Sequence, residues 1–99
     1  MSRRQTFKFR LYVAGNAQNA VLALSNLRAL CMAHLPGQHE IEVVDVFRQP
    51  KRALADSIFM TPTLVRLQPP PERRIVGTLC QTDTVLQALG LPVGQHANR

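Results

Sequence analysis

The chain lacks tryptophan altogether, and its 99 residues include only four phenylalanines and one tyrosine. So few aromatic side chains offer little surface on which the bases of a single-stranded nucleic acid stack. Long apolar runs are absent too: none approaches the ~20 residues that cross a bilayer, and no signal-peptide segment follows the N-terminus. These absences predict a cytoplasmic protein that uses neither a membrane nor nucleic acid as its partner.

Cysteine is equally scarce, since Cys31 and Cys80 are the only two and they form no Cys-x-x-Cys pair. A structural zinc site needs about four ligands, and no histidine stands at ligand spacing from either thiol. We therefore predict no metal and no cofactor. Both thiols are expected to be small buried apolar groups in a reducing compartment, with a redox role for either one as the alternative.

Acidic residues are outnumbered two to one, because six aspartates and glutamates face twelve lysines and arginines, for a net charge of +6. The hydrophobic fraction of 45% is that of a folding chain. The basic residues are scattered, and there is neither a zinc-finger spacing nor a glycine-rich loop. An acidic protein surface is the favoured partner. The alternative, a nucleic-acid binder, predicts binding to generic DNA that weakens steeply with salt.

Sequence patterns predict a β-α-β unit in the N-terminal half. Apolar and polar residues alternate over residues 6–13, which is typical of a half-buried strand. Gly15 lies in the break that follows, and Asn16 is expected to cap a helix over residues 17–34. Residues 40–47 form a nearly continuous apolar run, which favours a strand covered on both faces and parallel to the first. The predicted apolar stripe of the helix consists of Ala20, Leu24, Leu27, Cys31 and Leu35, flanked by Val21 and Leu30.

The next segments predict a short helix and two further strands. Pro50 suits the first turn of the helix, and Leu54 and Ile58 are expected to face inward from it. Strands are predicted over residues 63–67 and 74–79. They are expected to pair antiparallel across the run of three prolines between them, which cannot donate ladder hydrogen bonds.

A last helix is predicted to follow Thr82, whose hydroxyl is expected to cap it, with Asp83 near its positive end. Gly90 is a suitable residue for the end of this helix. Its inward-facing residues are predicted to be Val85, Leu86 and Leu89.

The resulting order, β-α-β-α-β-β-α, is that of an α/β thioredoxin-like domain over residues 6–91, with flexible segments at 1–5 and 92–99. In a thioredoxin-like enzyme the redox cysteines lie at the first strand-to-helix turn, where the helix N-terminus stabilises a thiolate. Residues 14–18 hold no cysteine, serine, histidine or charge, and no two carboxylates are marked as an acid/base pair. Pro62 stands where that fold holds a cis-proline. We predict a binding module rather than an enzyme.

Four blocks of sequence are more specific than these patterns. They are Leu-Tyr-Val-Ala-Gly-Asn at 11–16, Val-Asp-Val at 44–46, Thr-Pro-Thr-Leu at 61–64 and Pro-Pro-Pro-Glu-Arg-Arg-Ile-Val-Gly at 69–77. Together they closely resemble the KaiB family, the small clock proteins of the bacterial KaiABC oscillator, over about residues 7 to 91.

The resemblance implies a non-enzymatic timing regulator whose C-terminal half adopts either of two packings. One is a ground state in a dimer or tetramer, and the other is a thioredoxin-like monomer. It further implies that the monomer binds the N-terminal ATPase ring of a KaiC-type kinase, displaces a clock-associated histidine kinase and, in full systems, holds KaiA.

Carried over residue by residue, the resemblance implies two sets of functional positions. Partner-binding positions are Glu40, Glu42 and Asp45 on the second strand, where we expect an added partner strand, and Arg66, Arg73 and Arg74, which we expect to meet acidic groups. The positions implied in fold switching or backbone geometry are Gly15, Asn16, Pro62, Pro69, Pro70, Pro71, Gly77, Ala88 and Gly90, with the switching half beginning near Pro50.

The chain also departs from the family's pattern at positions that bear on function. Ala88 stands where glycine is usual, and alanine is better than glycine in a helix by ~1 kcal/mol. We therefore predict a larger resting population of the thioredoxin-like packing than in a typical relative. Glu40 and Glu42 stand where relatives often have neutral or basic residues, which favours as an alternative a system without KaiA that acts in stress or daily timing.

Overall fold

The computed structural model describes residues 5–92 of the chain. Its elements follow the predicted order: β1 (Phe7–Val13), α1 (Gln18–His34), β2 (His39–Asp45), α2 (Pro50–Ala55), β3 (Thr63–Gln68), β4 (Arg73–Val76) and α3 (Thr82–Leu89). The expected flexibility of segments 1–5 and 92–99 falls, apart from Gln5 and Pro92, outside the described residues.

The strands form one sheet in the order β2-β1-β3-β4. β1 pairs in parallel with β2, a pairing that needs a crossover such as α1, and antiparallel with β3. β3 and β4 pair antiparallel, which confirms the prediction made from the proline run. The thioredoxin-like arrangement leaves β2 and β4 as the two edges of the sheet.

The prediction that the second strand is covered on both faces is wrong. Val44 is fully buried, but Val43 and Glu40 are exposed, and the strand ends at Asp45. The reason is topological, since β1 lies between β2 and β3 and takes the central place. An apolar run therefore indicated a strand correctly but not its position in the sheet.

One face of the sheet forms the main core with α1 and α3. The alternation in β1 points Phe9, Leu11 and Val13 into this core, where all three are buried. The inward-facing residues predicted for α3, Val85, Leu86 and Leu89, are buried as well. The buried residues of α1 are Ala20, Ala23, Leu27, Leu30 and Cys31, while Leu24 is half-buried and Val21 is exposed.

The other face is covered by α2 and the segment that follows it. Its cluster of buried residues consists of Tyr12, Val44, Ala53, Ile58 and Val65. Pro50 occupies the first turn of α2 and Ile58 faces inward, both as predicted. Leu54 was expected to face inward but is 71% exposed. Because Ile58 lies beyond the end of the six-residue helix, the helical spacing from Leu54 to Ile58 does not apply.

Neither predicted side-chain cap is present. α1 follows Ala17 and α3 follows Gln81, and neither helix has a side-chain hydrogen bond at its cap. Asn16 lies one residue too early, and Thr82 already lies within the first turn. A side chain one position away from the cap residue does not reach the free amides of the first turn.

The loop after β4 differs from the prediction, whereas the end of α3 agrees with it. β4 ends at Val76 instead of residue 79, and Leu79 is buried in the following loop with a φ of 65°. Gly90 follows α3 with a φ of 77°, in the left-handed conformation expected of a glycine there.

Candidate functional site

The turn between β1 and α1, the place of the redox centre in thioredoxin-like enzymes, is held by a hydrogen bond from its backbone to an aspartate side chain. Gly15 has a φ of 60°, and its N–H donates to Oδ1 of Asp45 at 3.1 Å. The same oxygen accepts from the N–H of Phe47 at 2.9 Å. Asp45, expected at a partner interface, is half-buried. Its carboxylate joins the turn after β1 to the turn after β2.

No thiol lies in this turn. Cys31 is fully buried in α1, and burial raises the pKa of its thiol to about 11. Cys80 was expected to be buried too but is exposed, because β4 ends early and leaves it in the loop before α3. The peptide bond between Thr61 and the buried Pro62 is cis, as expected from the cis-proline that the thioredoxin-like fold holds at this position.

Over residues 5–92, no group of histidine, cysteine, aspartate and glutamate side chains converges as ligands would. None of the helices in that range combines the length and the apolar character needed to cross a bilayer.

A charged network lies beside the β2 edge. Glu42 accepts from Nε of Arg10 at 2.8 Å and from two nitrogens of Arg52 at 2.8 and 3.0 Å. Hydrogen bonds from Arg52 and Arg10 lower the pKa of Glu42 to about 2. Asp56, directly after α2, accepts from the Tyr12 hydroxyl and from Arg10, which together lower its pKa. The network ties α2 to β1 and β2.

The two glutamates predicted to bind a partner therefore differ. Glu42 is held by two arginines of its own chain, whereas Glu40 is exposed and has no ion pair among the residues described. Sequence reasoning missed the network because its members carry no shared motif. The register of β1 with β2 places Arg10 beside Glu42, and the packing of α2 on the sheet brings Arg52 and Asp56 to them.

Arg66, predicted to face a partner, lies inside the protein. It is 5% exposed and donates to the main-chain oxygen of Leu89, and to that of Pro71 at 2.7 Å. Burial lowers its pKa, with a smaller contribution from the charge of Arg73. In this packing Arg66 positions the end of α3 and the proline run, and it offers no surface to a partner.

Arg73 and Arg74, in contrast, are exposed on the edge strand β4. Arg74 donates from Nε to Glu72 at 2.9 Å. The register pairs Arg74 with Val65 and Arg73 with Arg66, so the two arginines project from opposite faces of the sheet.

A third feature, an apolar groove beside β4, has no signal in the sequence. It is lined by residues 57–60 of the loop after α2, by Thr63 of β3 and by Arg74 and Val76 of β4, and we call it the β4 groove. Phe59, Met60 and Val76 in it are 85%, 63% and 53% exposed. Large apolar residues are ordinarily read as core, so their exposure emerges only from the tertiary structure.

The positions implied in switching lie mostly in the second half of the molecule. Pro69 and Pro71 follow cis peptide bonds in the β3–β4 connection, and Pro70 lies between them. Gly77 has a φ of 121° directly after β4, and Ala88 is half-buried within α3.

The fold and the thiol-free turn together define a thioredoxin-fold protein without the redox centre. The N-terminal domain of Synechococcus elongatus SasA is similar in structure, with a TM-score of 0.72 and 17% identity over 95% of this chain and 92% of that one. Mitochondrial thioredoxin 3 of Saccharomyces cerevisiae is similar with a TM-score of 0.69 and 17% identity, over 88% of this chain and 80% of that one.

Sequence comparison identifies the family. Residues 10–91 match the model of the KaiB domain. The circadian clock oscillator protein KaiB of Prochlorococcus marinus MIT 9312 is 43% identical over 92% of this chain and 87% of its own length. The KaiB of Synechococcus sp. RCC307 is 44% identical over 92% of this chain and 83% of its own. The chain belongs to the KaiB family, as its sequence blocks predicted.

Proposed function

We propose that the protein is a non-enzymatic, cytoplasmic timing regulator that binds the N-terminal ATPase ring of a KaiC-type protein in its thioredoxin-like packing. Binding would alter the phosphorylation cycle and the output signal of that partner. The observation that supports this is a KaiB-family chain whose sheet is complete and thioredoxin-like while its redox turn holds no nucleophile. Such a scaffold keeps the geometry for docking and has no thiol at the turn where thioredoxin-like enzymes hold theirs.

Within this proposal, Arg73 and Arg74 meet acidic groups of the ATPase ring, and Arg66 acts indirectly by holding α3 and the proline run. The β2 edge, with Glu40 exposed on it, is the surface for an added strand from a second partner, which is KaiA only where the system has one. Asp45 and Gly15 shape the neighbouring turn.

Competition and fold switching complete the proposal. The similarity to the SasA N-terminal domain supports competition between this chain and such a domain for one site on the ATPase. A second packing of the C-terminal half, in a dimer or tetramer, would hold the protein inactive, and the ATPase would select the thioredoxin-like packing by binding it alone.

The test is co-purification of the full chain with the KaiC-type ATPase of the same organism, with ATP, with ADP and without nucleotide. We expect a complex in at least one nucleotide state, and an unchanged complex when both Cys31 and Cys80 are replaced by serine. Absence of a complex in all three states would overturn the proposal. A complex that needs either thiol would favour the redox alternative.

A further inference from the structure

The free edge of β4 offers main-chain groups that no strand of residues 5–92 uses. β4 is the last strand of the sheet, and the N–H of Gly77 donates to the oxygen of Pro62 at 2.9 Å. Hydrogen-bonded pairs alternate along an antiparallel ladder, so Ile75 also directs its N–H and C=O toward β3. The corresponding groups of Arg74 and Val76 point away from the sheet.

The same two residues place their side chains beside the β4 groove. Val76 is paired with Thr63, and Arg74 with Val65, which belongs to the buried cluster under α2. Val76 itself is not in that cluster, because the six-residue α2 covers only part of this face. A groove of about 140 Å³ remains between β4 and Phe59 and Met60. Unpaired backbone and an open apolar pocket thus lie side by side.

The positive charge of the β4 edge favours a binding partner that carries acidic residues. Arg73 and Arg74 are exposed, and within the described residues the only acid paired with either one is Glu72. A second copy of the chain pairing through β4 would bring like charges together, which is destabilising. A segment that carries carboxylates gains from the same arginines and from the net charge of +6.

We propose that the free edge of β4 and the β4 groove bind an extended, acidic segment of a partner protein. The segment adds a strand to the sheet by hydrogen bonds to Arg74 and Val76, and it places an apolar side chain in the groove between Phe59 and Val76. The inference deepens the proposed function and rests on it for the partner, since it assigns the segment to the KaiC-type ATPase.

The chemistry of the surface is tested with two synthetic ten-residue peptides, one alternating valine with glutamate and the other valine with lysine. Hydrogen exchange of single amides is followed by NMR on the full chain. At saturation we expect the glutamate peptide to slow exchange at Arg74 and Val76 at least tenfold, with no slowing by the lysine peptide. Equal effects of the two peptides, or protection only along β2, would overturn the proposal. So would a peptide-free dimer that protects the same amides.

Variants separate the backbone from the charge. Val76→Pro removes one outward N–H and leaves the β3–β4 hydrogen bonds in place, so we expect at least a tenfold weaker affinity for the glutamate peptide. The double variant Arg73→Glu/Arg74→Glu is expected to have a similar effect without altering the edge backbone. Val21→Thr and Arg28→Glu, on the exposed side of α1, are the matched controls and should stay within twofold.

Two outcomes distinguish this inference from the proposed function. If the wild-type chain does not bind the ATPase while the glutamate peptide still slows amide exchange at Arg74 and Val76, the proposed function alone fails. If the ATPase complex forms and these two amides keep their free exchange rates within it, the inference alone fails.

Discussion

Arg66 lies in the interior and donates a hydrogen bond to the main-chain oxygen of Leu89, the last residue of α3. It donates a second bond to the main-chain oxygen of Pro71, and its guanidinium carbon lies 6.0 Å from the centre of the Phe7 ring, while its buried Nε has no partner among the described residues. Within the described residues no carboxylate pairs with it. The guanidinium is accommodated by the negative end of the helix, because carbonyl groups there lack helical partners.

This relationship predicts that Arg66 stabilises the thioredoxin-like packing. Arg66→Met leaves the buried main-chain oxygen of Leu89 unsatisfied and removes the bond to Pro71, so we expect the free energy of unfolding to fall by about 2 kcal/mol in urea titrations. Arg66→Lys should be intermediate, because an ammonium group lacks the fork that reaches both oxygens. The control is Arg73→Met at an exposed position, expected within about 0.5 kcal/mol of wild type. Equal losses for Arg66→Met and Arg73→Met would contradict the role.

Acid should weaken the fold through Glu42. Its folded-state pKa of about 2 lies below the ordinary value of 4.5, so the unfolded chain binds the proton more readily. The stabilisation is complete above about pH 4.5 and is lost as the pH falls toward 2. Because the side chain is 47% exposed, we expect less than about 1 kcal/mol from it.

The measurement is the unfolding free energy between pH 2 and 6 for wild type, Glu42→Gln and the exposed control Glu40→Gln. Glu42→Gln should flatten part of the slope, and by more than Glu40→Gln, because Glu42 is paired with two arginines and Glu40 has no ion pair among residues 5–92. The lowered pKa of Asp56 acts in the same direction and accounts for a slope that remains. A Glu42→Gln profile parallel to wild type would disprove the assignment.

Ala88 should favour the packing seen here. Ala88→Gly is expected to lower the stability of α3 by ~1 kcal/mol and to reduce the population of the thioredoxin-like form. Solution NMR would detect this as growth of a second set of resonances, and Ala33→Gly, in the last turn of α1, serves as the control for helix propensity outside the switching half. Spectra of a single non-thioredoxin topology that Ala88→Gly leaves unchanged would refute the prediction.

The two thiols should react at very different rates. Cys80 is exposed and Cys31 is buried with a pKa of about 11, so a thiol reagent at neutral pH should label one cysteine per native chain and two after denaturation. Cys80→Ser should abolish the native reaction, and Cys31→Ser should leave it intact. Rapid labelling of Cys31 in the native protein would show that the packing around α1 is open.

Several features could be predicted because they depend on local patterns. The alternation of β1 and the inward residues of α3 follow from the period of each element, and Gly90 from the backbone conformation that ends a helix. The predicted side-chain caps were wrong because a cap depends on the exact residue at which the helix begins, and each prediction missed that residue by one position. The prediction for Leu54 was wrong because α2 ends at Ala55, so the helical spacing from Leu54 to Ile58 does not apply.

By itself, the sequence determined the order of the elements, the family and the lack of a nucleophile at the redox turn, because periodicity, sequence blocks and residue identity suffice for these. Only the tertiary structure decided that Arg66 is buried, that Glu42 is already paired and that Phe59 is exposed beside an open strand. These properties depend on which strand takes the centre of the sheet and how far α2 extends across it, and both are set by contacts between residues distant in the chain.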